Sequence, residues 1–236
     1  MKDGRIAAIF DVDGTLVTGR SLERTFLGFL VRHHELGLRE LSSLAAGIVE
    51  GNSLRRNRSH LRGKDPETLA HLARVCVREE VVPRLLTKAI DRIRMHRTSG
   101  HEIALISGTL DILLFPLAEF LGVDIASGTA LETSRGRLTG RIAGVHPFGE
   151  GKLSSLLTLQ SRYDFDLPNS FAYANHHTDA HLLEAVGNPV ATNPDRRLRR
   201  IAMSRGWLIE DFVSQSPGEV ISHALAKQSA QSWNAY

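Results

Sequence analysis

The sequence predicts an α/β fold, with a Rossmann-like parallel sheet core, helices on both faces and an inserted all-helical cap domain. Three observations predict it. Apolar-rich runs at residues 5–10, 101–106, 170–174 and 189–192 have the length of strands buried on both faces. Helical stretches alternate with the later runs, the order that builds a parallel sheet. Between Gly19 and Arg97 the periodicity is helical throughout, and no segment reads convincingly as a strand.

The first strand, 5–10, stops at Asp11-Val12-Asp13-Gly14-Thr15, where Asp and Gly mark a loop. From Ser21 onward, Leu22, Phe26, Phe29 and Leu30 recur at helical spacing, and Ser21 reads as the helix cap although no capping-box Glu follows. Further helices are expected over 38–50, 66–80 and 83–97. Pro66 and Pro83 occupy first-turn positions and Asp65 is placed to cap. The strand at 101–106 ends at Ser107-Gly108-Thr109 and leads into a helix reaching about Leu121. Ser127-Gly128, Arg135-Gly136 and Thr139-Gly140 predict short strands joined by turns over 123–145. A helix follows over 151–163, then strand 170–174, helix 179–186 and strand 189–192. Pro194 opens a last helix ending near Gly206-Trp207, and 214–236 is expected to fray. The domains expected are a core of 1–17 and 98–236 and a helical cap of 18–97. No internal repeat or low-complexity segment is found.

A chain of 236 residues accommodates one α/β domain and a small insertion, and 42% hydrophobic with 23% charged residues is the balance of a folded soluble protein. The single cysteine, Cys76, excludes an internal disulfide framework and a multi-cysteine zinc site; its apolar-rich surroundings at 72–77 mark a buried structural thiol. The charged start lacks a signal-like apolar stretch, and Asp111 and Glu119 interrupt the longest apolar region, so a cytoplasmic protein with no membrane partner is expected. The net charge of +3 suits anionic ligands. The basic runs are not interleaved with aromatics as in a single-strand-binding groove, so nucleic acid is not expected as a partner.

Ligands of an open parallel sheet gather at the carboxyl ends of its strands, and four segments there carry chemistry. Asp11 and Asp13, at i and i+2, can divide a nucleophile's role from a general acid's, since the two roles need opposite charge states. Gly14 permits a tight path and Thr15 follows it. Ser107 and Gly108 offer a hydroxyl and backbone N–H groups at a helix start, an anion site. Lys152, at the start of another helix, opposes the helix dipole unless an anion compensates. The fourth segment is Tyr173-Ala174-Asn175-His176-His177-Thr178-Asp179.

These segments resemble the four motifs of the haloacid dehalogenase superfamily. Phe10-Asp11-Val12-Asp13-Gly14-Thr15-Leu16 resembles the first, which implies that Asp11 is the nucleophile and Asp13 the general acid/base. It also implies that the Asp11 side chain and the Asp13 carbonyl bind Mg²⁺. Ser107 matches the residue that holds the phosphoryl group, and Lys152 matches the lysine partner of phosphate and nucleophile. The fourth motif, with its continuation through residues 182–195, is similar to the subgroup containing phosphoserine phosphatase, and there Asp179 matches an acidic metal-site residue. Asn175 departs from the pattern, standing where that subgroup has an Asp. An amide oxygen still coordinates a hard cation but brings no charge, so weakened magnesium binding is expected at Asp11, Asp13, Asn175 and Asp179.

The resemblance implies phosphomonoester hydrolysis through an aspartyl-phosphate, with a small phosphorylated metabolite as partner. A degenerate protein that binds such a ligand without turnover is the alternative. Arg20 stands where phosphoserine phosphatases carry a Glu for the substrate ammonium, which disfavours phosphoserine, although Glu23 could substitute from the next turn. Arg55, Arg56, Arg58 and Arg62 form either a solvated helix face or a site for a second anionic group, with Arg56 the candidate. Together with Thr15, Gly108 and Arg20 it makes up the expected substrate-binding set. Adjacent loop histidines seldom point at one ion, so His176 and His177 are expected to be solvated. A monomer or homodimer is expected.

Overall fold

The computed structural model describes residues 4–37 and 58–213. The helix expected at 38–50, Arg55, Arg56 and the tail from 214 lie outside the described residues. Seven strands form one sheet in the order β4 (Arg137–Ala143), β3 (Ile125–Ser134), β2 (Glu102–Leu110), β1 (Ala7–Phe10), β5 (Phe171–Ala174), β6 (Asn188–Thr192) and β7 (Leu208–Glu210). All neighbours are parallel except β3 and β4.

β1 is buried along its whole length, and its alternation explains the layers. Ala7 and Ile9 face a cluster completed by Leu156 and Leu159 of α5 (Glu150–Tyr163), Leu182 and Leu183 of α6 (Ala180–Glu184), and Leu198 and Ala202 of α7 (Arg196–Arg205). Ala8 and Phe10 face the opposite cluster. That one includes Leu22, Phe26 and Phe29 of α1 (Leu22–Arg32), Leu69 and Ala73 of α2 (Pro66–Cys76), Ile93 of α3 (Thr87–Thr98) and Leu117 of α4 (Asp111–Leu121). The helices inserted between β1 and β2 therefore share one apolar core with a face of the sheet.

The expected caps form: Ser21 accepts from the Arg24 amide at 3.4 Å and Asp65 from the Thr68 amide at 3.0 Å. The helix expected at 66–80 leaves α geometry at Cys76, passes through a wider turn at Val77–Val81, and restarts at Thr87. Pro83 accounts for the break, having no amide to continue the ladder. Arg84 Nε instead donates to the Glu80 carbonyl at 2.8 Å.

Three turns were expected in 123–145, and one forms. Arg135 (φ 51°) and Gly136 (φ 73°) make the two-residue turn between β3 and β4. Gly128 and Gly140 lie inside strands, and the pairing shifts register around Gly140. There φ is +79°, and a Cβ would stand 3.1 Å from the Arg58 carbonyl oxygen, so the bulge admits the 58–61 turn. The last helix starts at Arg196, capped by Asp195 at 2.7 Å from the Leu198 amide, and ends at Gly206 (φ 66°). β7, absent from the sequence-based expectation, is a three-residue edge strand too short to show a period. Among the described residues, no helix is long and apolar enough to cross a membrane.

Candidate active site

The strand order reverses about β1, with β2 on one side and β5 on the other, so the carboxyl ends of these three strands border one crevice. Phe10 pairs with Leu105 and with Tyr173, which brings the loops that follow level with one another. The Asp11 amide then donates to the Tyr173 carbonyl at 2.9 Å, extending the ladder one residue into the loop.

The first turn of α5 delivers Lys152 into this crevice. Its ammonium donates to Asp11 Oδ1 at 2.5 Å and to Asp179 Oδ2 at 2.8 Å. Lys152, Asp11 and Asp179 are 3%, 4% and 2% exposed, so the triad is buried where each charge needs its partners. Burial alone would depress Lys152; Asp11 and Asp179 reverse that and hold it above its ordinary value, fully charged. Gly151 makes the approach possible, since a Cβ there would lie 2.0 Å from the His146 carbonyl oxygen. The other oxygen of Asp11 accepts from the Thr15 hydroxyl at 3.0 Å. With a donor on each oxygen, the carboxylate is fixed in orientation.

Asp13 Oδ1 accepts from the Leu22 amide at 2.9 Å, one of the orphan donors at the start of α1. Burial, with the neighbouring Asp11 charge, pushes Asp13 up to about 7. Near neutrality it can give or take a proton, which suits a general acid/base. Asp179 is likewise raised, first by burial. Asn175 joins the cluster over Gly14 (φ +86°), where a Cβ would stand 2.1 Å from its Nδ2. No side chain but glycine's leaves room for that amide.

Ser107 and Gly108 stand at the neighbouring strand end. Ile106 pairs with Ser127 and Leu110 with Thr129, so a bulge frees the intervening residues from the ladder. The expected strand end thus becomes a bulge within β2, and the helix starts only at Asp111. The Ser107 hydroxyl oxygen is buried and accepts from the Thr109 amide at 3.3 Å, leaving its proton for an anion. The Gly108 carbonyl accepts from Thr129 Oγ1 at 2.8 Å, and Thr129 in turn accepts from His146 Nδ1 at 2.7 Å.

The oxygen donors at the crevice are the carboxylates of Asp11 and Asp179, with the Asn175 amide beside them over Gly14. All are hard oxygens, as a magnesium-type cation requires. Two carboxylates share one ammonium there, and Asp13 and Asp179 are raised first by burial, with the Asp11 charge adding to both. A divalent cation fits such a set.

One expected substrate residue is not gathered by this geometry: Arg20 is exposed, and its carbonyl accepts from Arg84 Nη1 at 2.9 Å. Arg56 is outside the described residues. From the same basic cluster, Arg58 is 1% exposed and pairs with Glu23 at 2.6 Å, while Arg62 is exposed and donates to the Thr139 carbonyl at 3.1 Å. A solvated helix face is therefore the wrong description of Arg58. Asn193 was missed by sequence reasoning. Its Nδ2 donates to the Gly14 carbonyl at 3.1 Å, and its Oδ1 accepts from the Phe212 amide at 2.7 Å. The Asn193-Pro194 step after β6 was the available signal, an Asn at a strand end able to bond backbone.

A family model described as haloacid dehalogenase-like hydrolase matches residues 8–184. The phosphoserine phosphatase SerB1 of Mycobacterium tuberculosis is 32% identical over 217 residues, spanning 87% of this chain and 70% of that protein. A histidinol-phosphatase of Neisseria meningitidis is 28% identical over 226 residues, 87% of this chain and 98% of its own. The crystal structure of a protein of unknown function from Bordetella pertussis Tohama I superposes with a TM-score of 0.76 at 30% identity, covering 89% of this chain and all of that one.

Proposed function

From the premise that this chain belongs to the haloacid dehalogenase-like hydrolase family, as a phosphatase related to phosphoserine phosphatase, we propose hydrolysis of a small phosphomonoester through a phosphoryl group carried on Asp11. The observation that supports it most directly is the buried Asp11–Lys152–Asp179 triad, assembled from three separate segments. Asp11, held by Lys152 and Thr15, presents a carboxylate whose attack on phosphorus needs no reorientation. Asp13, poised near neutrality, protonates the leaving oxygen, and the resulting carboxylate then takes a proton from the water that releases phosphate. Lys152 and the Ser107 hydroxyl stabilise charge on the phosphoryl oxygens. Mg²⁺, held by Asp11, the Asp13 carbonyl, Asn175 and Asp179, would supply neutralisation of the phosphoryl oxygens.

The first turn of α1, whose Leu22 amide bonds Asp13, and the 58–61 turn carry Glu23 and Arg58 next to Leu110 and form the side of the site that reads the rest of the substrate. The two named relatives, at similar identity, take their names from different phosphorylated compounds, so identity does not choose the substrate. A panel of amino-acid, amino-alcohol and sugar phosphates assayed with magnesium tests the reading. Turnover by the wild type that disappears in Asp11→Asn supports it; equal turnover in both would overturn it.

A further inference from the structure

Against expectation, the adjacent histidines of the β5–α6 loop converge. His177 Nδ1 lies 2.7 Å and His176 Nε2 3.5 Å from the same oxygen of Asp195, and their rings are 4.3 Å apart, tilted by 37°. The two imidazoles and the carboxylate place one donor atom each within 4.8 Å of one another. The backbone enforces this. The Asp195 amide donates to the Asn175 carbonyl at 2.9 Å, and the His177 amide to Asp195 Oδ2 at 3.1 Å, lacing the loop to the start of α7.

Asp195 divides its oxygens between two duties. Oδ1 caps α7 through the Leu198 amide at 2.7 Å, so Oδ2 alone faces the imidazoles. The Leu198 amide on Oδ1 and the His177 amide on Oδ2 hold this carboxylate in place from both sides. His176 Nδ1 lies 2.9 Å from Thr178 Oγ1, an outer contact that orients the ring and turns Nε2 inward. The three side chains are 40%, 29% and 30% exposed, which leaves a solvent-facing side for a water ligand and an entry path.

We propose that His176, His177 and Asp195 form a second cation site, selective for a late first-row divalent ion of the zinc class and separate from the catalytic carboxylates. The donor set decides the class. Two imidazole nitrogens with one carboxylate oxygen suit Zn²⁺, Co²⁺ or Ni²⁺, with water in the fourth position, whereas Mg²⁺ takes hard oxygens. The 2.7 and 3.5 Å separations bracket the spacing between ligands held about 2.0–2.2 Å from a common tetrahedral ion. Binding at His177 Nδ1 displaces its hydrogen bond to Asp195 and leaves the ring proton on Nε2, so Arg197 Nη1, now 3.3 Å from Nε2, turns out toward solvent. The loop between Asn175 and Asp179 carries both histidines, so occupancy ties that segment of the active site to α7.

The test uses the full chain, stripped with chelator and titrated with Co²⁺ in the presence of excess Mg²⁺, followed by visible absorption and calorimetry. One equivalent bound, with the intensified bands of a low-coordinate nitrogen-containing site, is expected. His176→Gln with His177→Gln should weaken it by at least about tenfold and abolish the bands, with the circular dichroism of the chelated protein showing that the variant folds. Displacement of the Co²⁺ by Mg²⁺ would place it at the catalytic carboxylates and overturn the proposal. Wild-type binding in the double variant, or no binding in either protein, would do the same.

Discussion

Replacing Lys152 by Met keeps most of the apolar stem and removes the ammonium with the two hydrogen bonds it donates. At 2.5 and 2.8 Å, each of its two ion pairs is worth about 6 kcal/mol of Coulomb attraction at an effective dielectric of about 20, before desolvation is subtracted. The net loss is smaller: stranding buried charges by deleting their partner costs about 3–5 kcal/mol. The pH dependence identifies the cause. Without the ammonium, the two carboxylates repel in a buried site, and Asp179, already raised by burial, loses the Lys152 charge that opposes that rise and moves further above its unfolded value. Stability held in its protonated form is present below about pH 4 and is lost as pH rises through the folded value. Urea unfolding in EDTA should therefore show a deficit of a few kcal/mol at pH 8 that largely closes near pH 4. Removing one of the stranded charges with Asp179→Asn on this background should recover stability at pH 8 without restoring turnover, which falls by at least about 10²-fold. A deficit below about 1 kcal/mol, or one independent of pH, would refute the reasoning.

Asp13, raised to about 7 chiefly by burial, destabilises the fold as pH climbs through that value. Asp13→Asn, which keeps an acceptor for the Leu22 amide, should be inactive yet more stable than wild type at pH 8 in EDTA, and equal to it near pH 4, by urea unfolding. Asn175→Asp adds an anion to the donor set; the magnesium concentration for half-maximal activity should fall by about tenfold for every 1.4 kcal/mol gained. A Cβ on Gly187 would stand 1.7 Å from the Pro168 carbonyl oxygen, so Gly187→Ala should cost about 2 kcal/mol or more by thermal melting, with kcat unchanged in the fraction that stays folded.

The central strands were legible because the apolar runs that mark them stop at Asp11, Ser107 and Asn175, and a strand buried on both faces admits little else. The helix starts were legible where a local cap suffices, at Ser21 and Asp65. What escaped depends on contacts distant in sequence. Gly140 looked like a turn glycine, and its bulge has meaning only against the Arg58 carbonyl some 80 residues earlier. Arg58 looked like one member of a solvated cluster until Glu23 was found opposite it. The pairing of His176 and His177 required Asp195, which the return of the chain through β6 brings beside them. Lys152, by contrast, was already anomalous as a cation at a helix start, and the two carboxylates that compensate it are among those the family resemblance named.

Whether Asp11 carries the phosphoryl group is most directly decided by rapid acid quench of the protein during turnover of an active phosphomonoester, followed by peptide mass spectrometry. The account predicts one added phosphoryl group on the peptide containing Asp11, labile to hydroxylamine, missing in Asp11→Asn and accumulating when Asp13 is replaced and an activated leaving group is used. Turnover with no modified peptide at any quench time, or a phosphoryl group found on another residue, would contradict it.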